Sequence, residues 1–415
     1  MNDSRTGTQR ASWLTSRRLR VHGLLLTVCL WTSYVWIFSC PGMMGRNGVL
    51  KGADFLHFYT LGSLALEHRG GELYDMAAQA LVAQRLVPQA GPLLFVPLYG
   101  PQVSLLFAPL AALPYAQALL LWELFTAAIY GLCCYTVWKT CSNLRSERWT
   151  VLALAVGYPA FFHLMIWGQS SAVALACFTI AYLELRAGKL FCAGLAIGFL
   201  AFKPQLGLAA AFVFLLSREW RVVMGAIAAG LAQLSVGWMY YGTAVLRDYL
   251  HHLVRARDVY ALFEPRPYHM HGLRSFWAML LPWPNVAFGM YLLTAVAVLW
   301  VALQIWRSQG ALGLRFGVLL IATVLVSPHI TVYDLVILAP AFLLLSDCFL
   351  ADSSEQKSTV GLLLYLAYVL PLLGPLSKWT HVQLSVPVMV ALVWILWRTA
   401  KQETAARTPQ TAAVA

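Results

Sequence analysis

Apolar stretches of about twenty residues recur along the whole chain, for example at 21–40, 116–138, 222–241, 286–306 and 383–397. A helix needs about 20 such residues to cross the hydrocarbon core of a bilayer. The pattern predicts an all-α, polytopic membrane protein. The first stretch follows an arginine-bearing tail but is long and has no small-x-small site before Pro41, so it reads as a retained span and not as a signal peptide.

Orientation comes from the basic residues. The tail at 1–20 holds Arg5, Arg10, Arg17, Arg18 and Arg20, which the positive-inside rule puts in the cytoplasm. The pieces 139–148, 186–189, 218–221, 307–315 and 351–357, with the polar tail 401–415, then fall on the same side and carry most of the 29 lysines and arginines. Two readings complete the topology. Pro97, Pro101 and Pro109 make 93–113 a re-entrant or partial helix, and Lys203-Pro204 divides 191–217 into two short helices meeting at the outer face. About twelve crossings result, within a membrane domain at 21–400. Both termini are cytoplasmic, outer loops lie at 41–92 and 242–275, and the tail 401–415 is expected to be disordered.

Composition narrows the function. The chain of 415 residues is 60% hydrophobic and 11% charged, against about a quarter charged in soluble domains. The net charge of +12 is scattered between spans, without the basic stripe of a nucleic-acid binder. Eight cysteines, mostly inside apolar runs, read as small buried hydrophobes and not as a disulfide framework.

Ionisable groups at membrane depth are costly and mark function, and here they gather on the outer side. Asp54, His57, Gln169, Lys203, His251, His252, Arg255, Arg257, Asp258, His269, His271, His329 and Asp334 all fall in outer loops or at outer ends of spans. Each also has a plainer reading. Asp54 suits a helix N-cap before Phe55; Trp167-Gly168-Gln169-Ser170 suits a tight turn; Lys203, flanked by Phe202 and Leu206, must snorkel or find an anion; and His329 in Ser327-Pro328-His329 could merely satisfy nearby carbonyls. His269-x-His271 lacks a third ligand at a recognised spacing, so no metal site is expected.

An ordered set of motifs carries a resemblance. It runs from Asp54-Phe55 with Tyr59 and Gly62, through Gly71-x-Leu73-Tyr74-Asp75 and the proline-rich 97–114, to Gly168-Gln169, Lys203-Pro204, and Ser327-Pro328-His329 with Asp334. In these the chain resembles glycosyltransferase family 87. Tyr99-Gly100-Pro101 departs from the Tyr-Pro-Pro-like sequence more common there. The resemblance implies a GT-C membrane fold with a helical first outer loop, a catalytic aspartate at Asp54, and a polyprenyl-phospho-mannose-like donor. The acceptor would be a lipid or glycan, met at the outer face of a bacterial inner membrane among its lipids.

The chemistry follows independently. A glycosidase needs two carboxylates because an alkoxide leaving group must be protonated, whereas a lipid phosphate leaves as a stabilised anion. One base then suffices. Asp54 would take the acceptor's proton, with His329 at the catalytic centre hydrogen-bonding phosphate or sugar. Lys203, with Arg255 or Arg257, would hold the phosphate, and His57, Tyr59, Gln169, His269 and Asp334 would line the substrate site. Side-chain cations could replace a divalent metal, so no cofactor is expected, and direct displacement would invert the anomeric centre. A transporter or lipid flippase would also suit broken helices and an intramembrane lysine, but transporters place polar sites near the midplane and show repeated halves. A membrane acyltransferase would need a histidine-acid motif that is not evident.

The topology is testable. In a cysteine-free background, Gly71→Cys should react with an impermeant thiol reagent applied to intact cells, and Ser146→Cys should not; labelling at 146 from outside would overturn the orientation.

Overall fold

The computed structural model describes residues 14–91, 93–255, 266–350 and 356–412, with side chains as far as 402. From the N-terminus come α1 (Ser16–Phe38), α2 (Ala53–Leu66), α3 (Met76–Leu86), α4 (Gln102–Ala111), α5 (Tyr115–Thr140), α6 (Arg148–Val156), α7 (Pro159–Trp167), α8 (Ser171–Arg186), α9 (Leu190–Gly198) and α10 (Leu208–Leu216). The second half holds α11 (Trp220–Arg255), α12 (Leu273–Leu280), α13 (Pro284–Arg307), α14 (Leu312–Val326), α15 (Ala339–Leu350), α16 (Gln356–Val369), α17 (Ser377–Thr380) and α18 (Ser385–Ala412). Among the described residues no strand forms, and extended pairing is limited to the bridges Met44–Leu50 and Met270–Thr331. That is the all-helical, polytopic architecture expected where hydrocarbon leaves backbone groups no outside partner.

Among the described residues, six stretches are long and apolar enough to cross a membrane: α1, α5, α11, α13, 332–350 and 356–380. The pair 145–156 and Pro159–Trp167, bent by 41°, makes a seventh if it is one span. A count of twelve also needs α8, α9, α10, α14 and α18, most of them shorter. α18 runs on to Ala412.

The two long loops at 41–92 and 242–275 pack on each other through their described residues. The first is helical, as expected, through α2 and α3. The second begins as helix too: α11 breaks at Gly242, whose φ is 82°, and resumes to Arg255. Val245 and Tyr249 beyond the break join Leu61, Leu64, Leu73, Tyr74 and Val82 in one apolar cluster. Apolar spacing of three and four residues at Val245, Leu246, Tyr249 and Leu253 explains the resumed helix.

Close packing of α9 on α11 sets the position of Lys203. A Cβ on Gly194 would stand 2.1 Å from the Val222 carbonyl oxygen, and one on Gly198 2.1 Å from that of Ala226, so only glycine lets the helices approach this far. Beyond Gly198 the chain turns through two 3₁₀ segments, Phe199–Phe202 and Pro204–Gly207, with Lys203 between them. Gly198→Val should therefore destabilise the detergent-solubilised protein by on the order of 1–3 kcal/mol, the usual scale of overpacking; an unchanged thermal midpoint would contradict this packing.

Candidate active site

Several interrupted helices meet at one place. α7 ends at Gly168, which has φ 66°, a left-handed conformation that glycine adopts without penalty. A Cβ there would also stand 2.7 Å from that of Phe55. The next residue, Gln169, is thereby directed at α2. α14 ends at Val326, and the chain passes through Ser327-Pro328-His329 to a 3₁₀ helix, Val332–Leu338, whose Thr331–Asp334 capping box closes its start.

Asp54 does not cap α2. The N-cap is Gly52, and Asp54 sits in the first turn with its Oδ2 accepting from Gln169 Nε2 at 3.0 Å. The same Nε2 donates to the Tyr333 hydroxyl at 3.2 Å. Gln169 Oε1 accepts from the Ser170 backbone N–H at 3.0 Å and from Lys203 Nζ at 3.3 Å. Lys203, 4% exposed, also donates to Ser171 Oγ and to Asp334 Oδ1, both at 3.0 Å. Asp334 Oδ1 accepts from Ser171 Oγ at 2.5 Å, and its Oδ2 from the Thr331 N–H and Oγ1 at 3.1 and 3.0 Å. Three segments distant in sequence, 169–171, Lys203 and 331–334, thus converge on Asp54.

Asp54 opens on a cavity of about 1200 Å³, lined also by His57, Phe95, Tyr99, Trp167, Gln169, Phe202, Lys203, Arg266, His269, Arg274, His329 and Tyr333. Asp54 is the one carboxylate among the described lining residues. Enclosure by protein pushes its carboxyl above the usual range, against the pull of the Gln169 hydrogen bond, the Lys203 charge and the Tyr333 hydroxyl. His57 stacks on Phe95 with centroids 4.7 Å apart, and burial pushes its imidazole down to about 3. It stays neutral.

The cavity reaches the outside of the bundle at Pro284, Asn285 and Phe288 of α13. This helix turns a row of apolar side chains outward, with Phe288 48%, Leu292 47% and Val296 60% exposed. The Arg274 guanidinium lies 5.9 Å from the Phe288 ring centroid, so a cation stands where the apolar exterior meets the cavity.

Asp54, His57, Gln169, Lys203, His269 and His329 are brought together as the sequence suggests. Others are placed differently. Arg255 is exposed at the end of α11 and does not line the cavity, and Arg257 lies outside the described residues. Tyr59 donates its hydroxyl to the Leu113 carbonyl at 2.6 Å and packs edge-on against Tyr115, so it braces α2 and does not line the cavity. Asp334 has both oxygens committed inside the protein and supports Lys203 from behind. His269 and His271 diverge: His271 is buried with Nδ1 2.8 Å from Ser385 Oγ, while His269 lines the cavity. Arg266, Arg274, Ser171 and Tyr333 enter the site without having been selected from sequence. Arg274 had one signal, as the basic residue of the second outer loop nearest the next span.

The model of glycosyltransferase family 87 matches residues 98–328, more than half of the chain. The chain belongs to glycosyltransferase family 87. The family match covers Gln169, Lys203, Arg266, His269 and Arg274; Asp54 lies before it, and His329 and Asp334 just beyond. The chain is also similar to a polyprenol-phosphate-mannose-dependent alpha-(1-2)-phosphatidylinositol pentamannoside mannosyltransferase of Mycolicibacterium smegmatis (strain ATCC 700084 / mc(2)155). The two are 27% identical over 241 residues, 56% of this chain and 53% of that protein. The match thus spans about half the relative's length. No solved structure matches the chain.

Proposed function

We propose that this family 87 protein is a membrane glycosyltransferase that moves a hexose, mannose by its likeness to the mycobacterial relative, from a polyprenyl-phosphate carrier to a lipid or glycan acceptor. The reaction takes place at the outer face of the cytoplasmic membrane with both termini inside. The observation that carries this reading is the cavity itself: among the described residues, a single carboxylate, several cationic groups, aromatic walls and an opening onto an apolar helix face. A sugar attached to a lipid phosphate presents the matching set of groups.

In this reading the prenyl chain lies along α13 outside the bundle, and Arg274 and Arg266, with His269 and His329, hold the phosphate. Phe95, Tyr99 and Trp167 offer faces on which a pyranose can stack. Asp54 accepts the proton of the acceptor hydroxyl as its oxygen bonds to the anomeric carbon. The bond from that carbon to the phosphate oxygen breaks, its electron pair leaves with polyprenyl phosphate, and the guanidinium groups stabilise the developing charge. Attack opposite the departing phosphate inverts the anomeric centre. A flippase needs no such carboxylate, and intact donor crossing a proteoliposome membrane without sugar transfer would favour that reading instead.

Purified protein incubated with a panel of polyprenyl-phosphate hexoses should consume at least one of them; no consumption of any would overturn the assignment. Asp54→Asn should retain donor binding and lose turnover by at least about a hundredfold, the usual scale of a lost general base. Because enclosure raises the Asp54 carboxyl and only its ionised form is a base, wild-type kcat/KM should fall as pH drops through that raised value. Its acid limb should lie above the ordinary aspartate value of about 3.9. Arg274→Ala should lower kcat/KM for the donor at least about tenfold, as loss of a charged hydrogen bond does, whereas Arg255→Ala should leave it unchanged.

A further inference from the structure

Lys203 is the natural suspect for a phosphate ligand, yet its geometry argues otherwise. An ammonium group has three protons, and all three have acceptors within the protein: Asp334 Oδ1, Ser171 Oγ and Gln169 Oε1, at 3.0, 3.0 and 3.3 Å. Its charge is already answered by Asp334. That aspartate is held rigidly by the Thr331 N–H and hydroxyl at the start of its own helix, so the ammonium has a fixed mooring.

The contact with Gln169 has the larger consequence. A carboxamide can turn end for end, exchanging its oxygen for its NH₂ group. Here Oε1 faces two donors, Lys203 Nζ and the Ser170 N–H, and a turned amide would set its own protons against both. The NH₂ group must therefore face Asp54 and Tyr333. Asp54 Oδ2 is clamped by that NH₂ group, and the Tyr333 hydroxyl also acts on the carboxylate.

We propose that Lys203 is a positioning residue: moored by Asp334 and Ser171, it fixes the Gln169 amide so that its NH₂ group holds Asp54 through Oδ2 and sets how that carboxylate faces the cavity. The assignment rests on Asp54 being the base of the proposed transfer. The ion pair reaches the base only through the amide, and it does so without touching the donor.

Other groups also face Asp54. Lys203, Asp334 and Tyr333 stand across the network, Tyr99 and Tyr115 lie on the neighbouring segments, and His57 follows on its own helix. The first two have opposite charges, so removing both nearly cancels their direct influence on Asp54. What remains reports the amide.

The experiment follows two readouts in wild type, Lys203→Met and the double variant Lys203→Met/Asp334→Asn, which leaves no lone charge buried. One is steady-state transfer against pH. The other is infrared titration of the Asp54 carboxyl, assigned by subtraction of Asp54→Asn, which needs no substrate. In both variants kcat should fall at least about tenfold with donor KM within about twofold, the mark of an interaction used in the transition state. The acid limb and the carboxyl titration should rise together by about half to one pH unit, as loss of a hydrogen bond to the ionised form requires. A tenfold rise in donor KM with an unmoved acid limb would overturn the proposal and make Lys203 a phosphate ligand. A wild-type carboxyl titration in the folded double variant would overturn it as well. Were no donor consumed by wild type, the transfer reading would fail while the infrared titration still decided whether Lys203 governs Asp54.

Discussion

Charge taken out of water must be answered by charge or by hydrogen bonds, and here that demand joins Lys203 to Asp334. Neither side chain is more than 5% exposed. Neither could remain ionised alone, and removing one partner of such a pair typically costs about 3–5 kcal/mol. The lysine comes from the break after α9, the aspartate from the turn after α14, and Ser171 from the start of α8. Each belongs to a place where a helix stops, so one ionic contact ties three helix ends together and holds the amide that reaches Asp54.

Around that contact the cavity is asymmetric. Its inner wall is a polar network that runs from Asp334 and Lys203 through Gln169 to Asp54. Its outer wall, with Arg266, Arg274 and His269, carries cations while Phe288 leads onto the lipid-facing side of α13. The two long loops pack on each other through Tyr74 and Tyr249, so the rim of the cavity is built from chain far apart in sequence. A rigid inner wall beside a cationic outer one suits a reaction in which a base must be held still while an anionic lipid comes and goes.

Much of this was legible before the structure. The apolar stretches named the fold class, and polar residues at their ends named the neighbourhood of the cavity. Lys203 stood out because a lysine between Phe202 and Leu206 must find an anion, but nothing local says that the anion is Asp334, 131 residues away. Partners at such distance are set by packing, here by the glycines that seat α9 on α11. Arg266 and Arg274 line the cavity while Arg255 stands exposed at the end of α11, for a related reason. Charge alone does not tell which basic residues of a long loop return to the membrane surface. Tyr59 looked like a sugar platform because it follows Asp54 in sequence, yet five residues along α2 carry it well over a turn from Asp54 and toward Leu113 and Tyr115.

The placing of the site at helix interruptions makes it a matter of length as much as of chemistry. Each residue of an α-helix advances the chain by about 1.5 Å and turns it by about 100°. One residue inserted between Leu190 and Gly198 would swing Lys203 away from Asp334, and one inserted into α7 would do the same to Gln169. The half-helices before Gly168 and Lys203 act as rulers that set the depth at which the polar network lies. Drift in the identity of their lipid-facing residues is then cheap, while drift in their residue number is not.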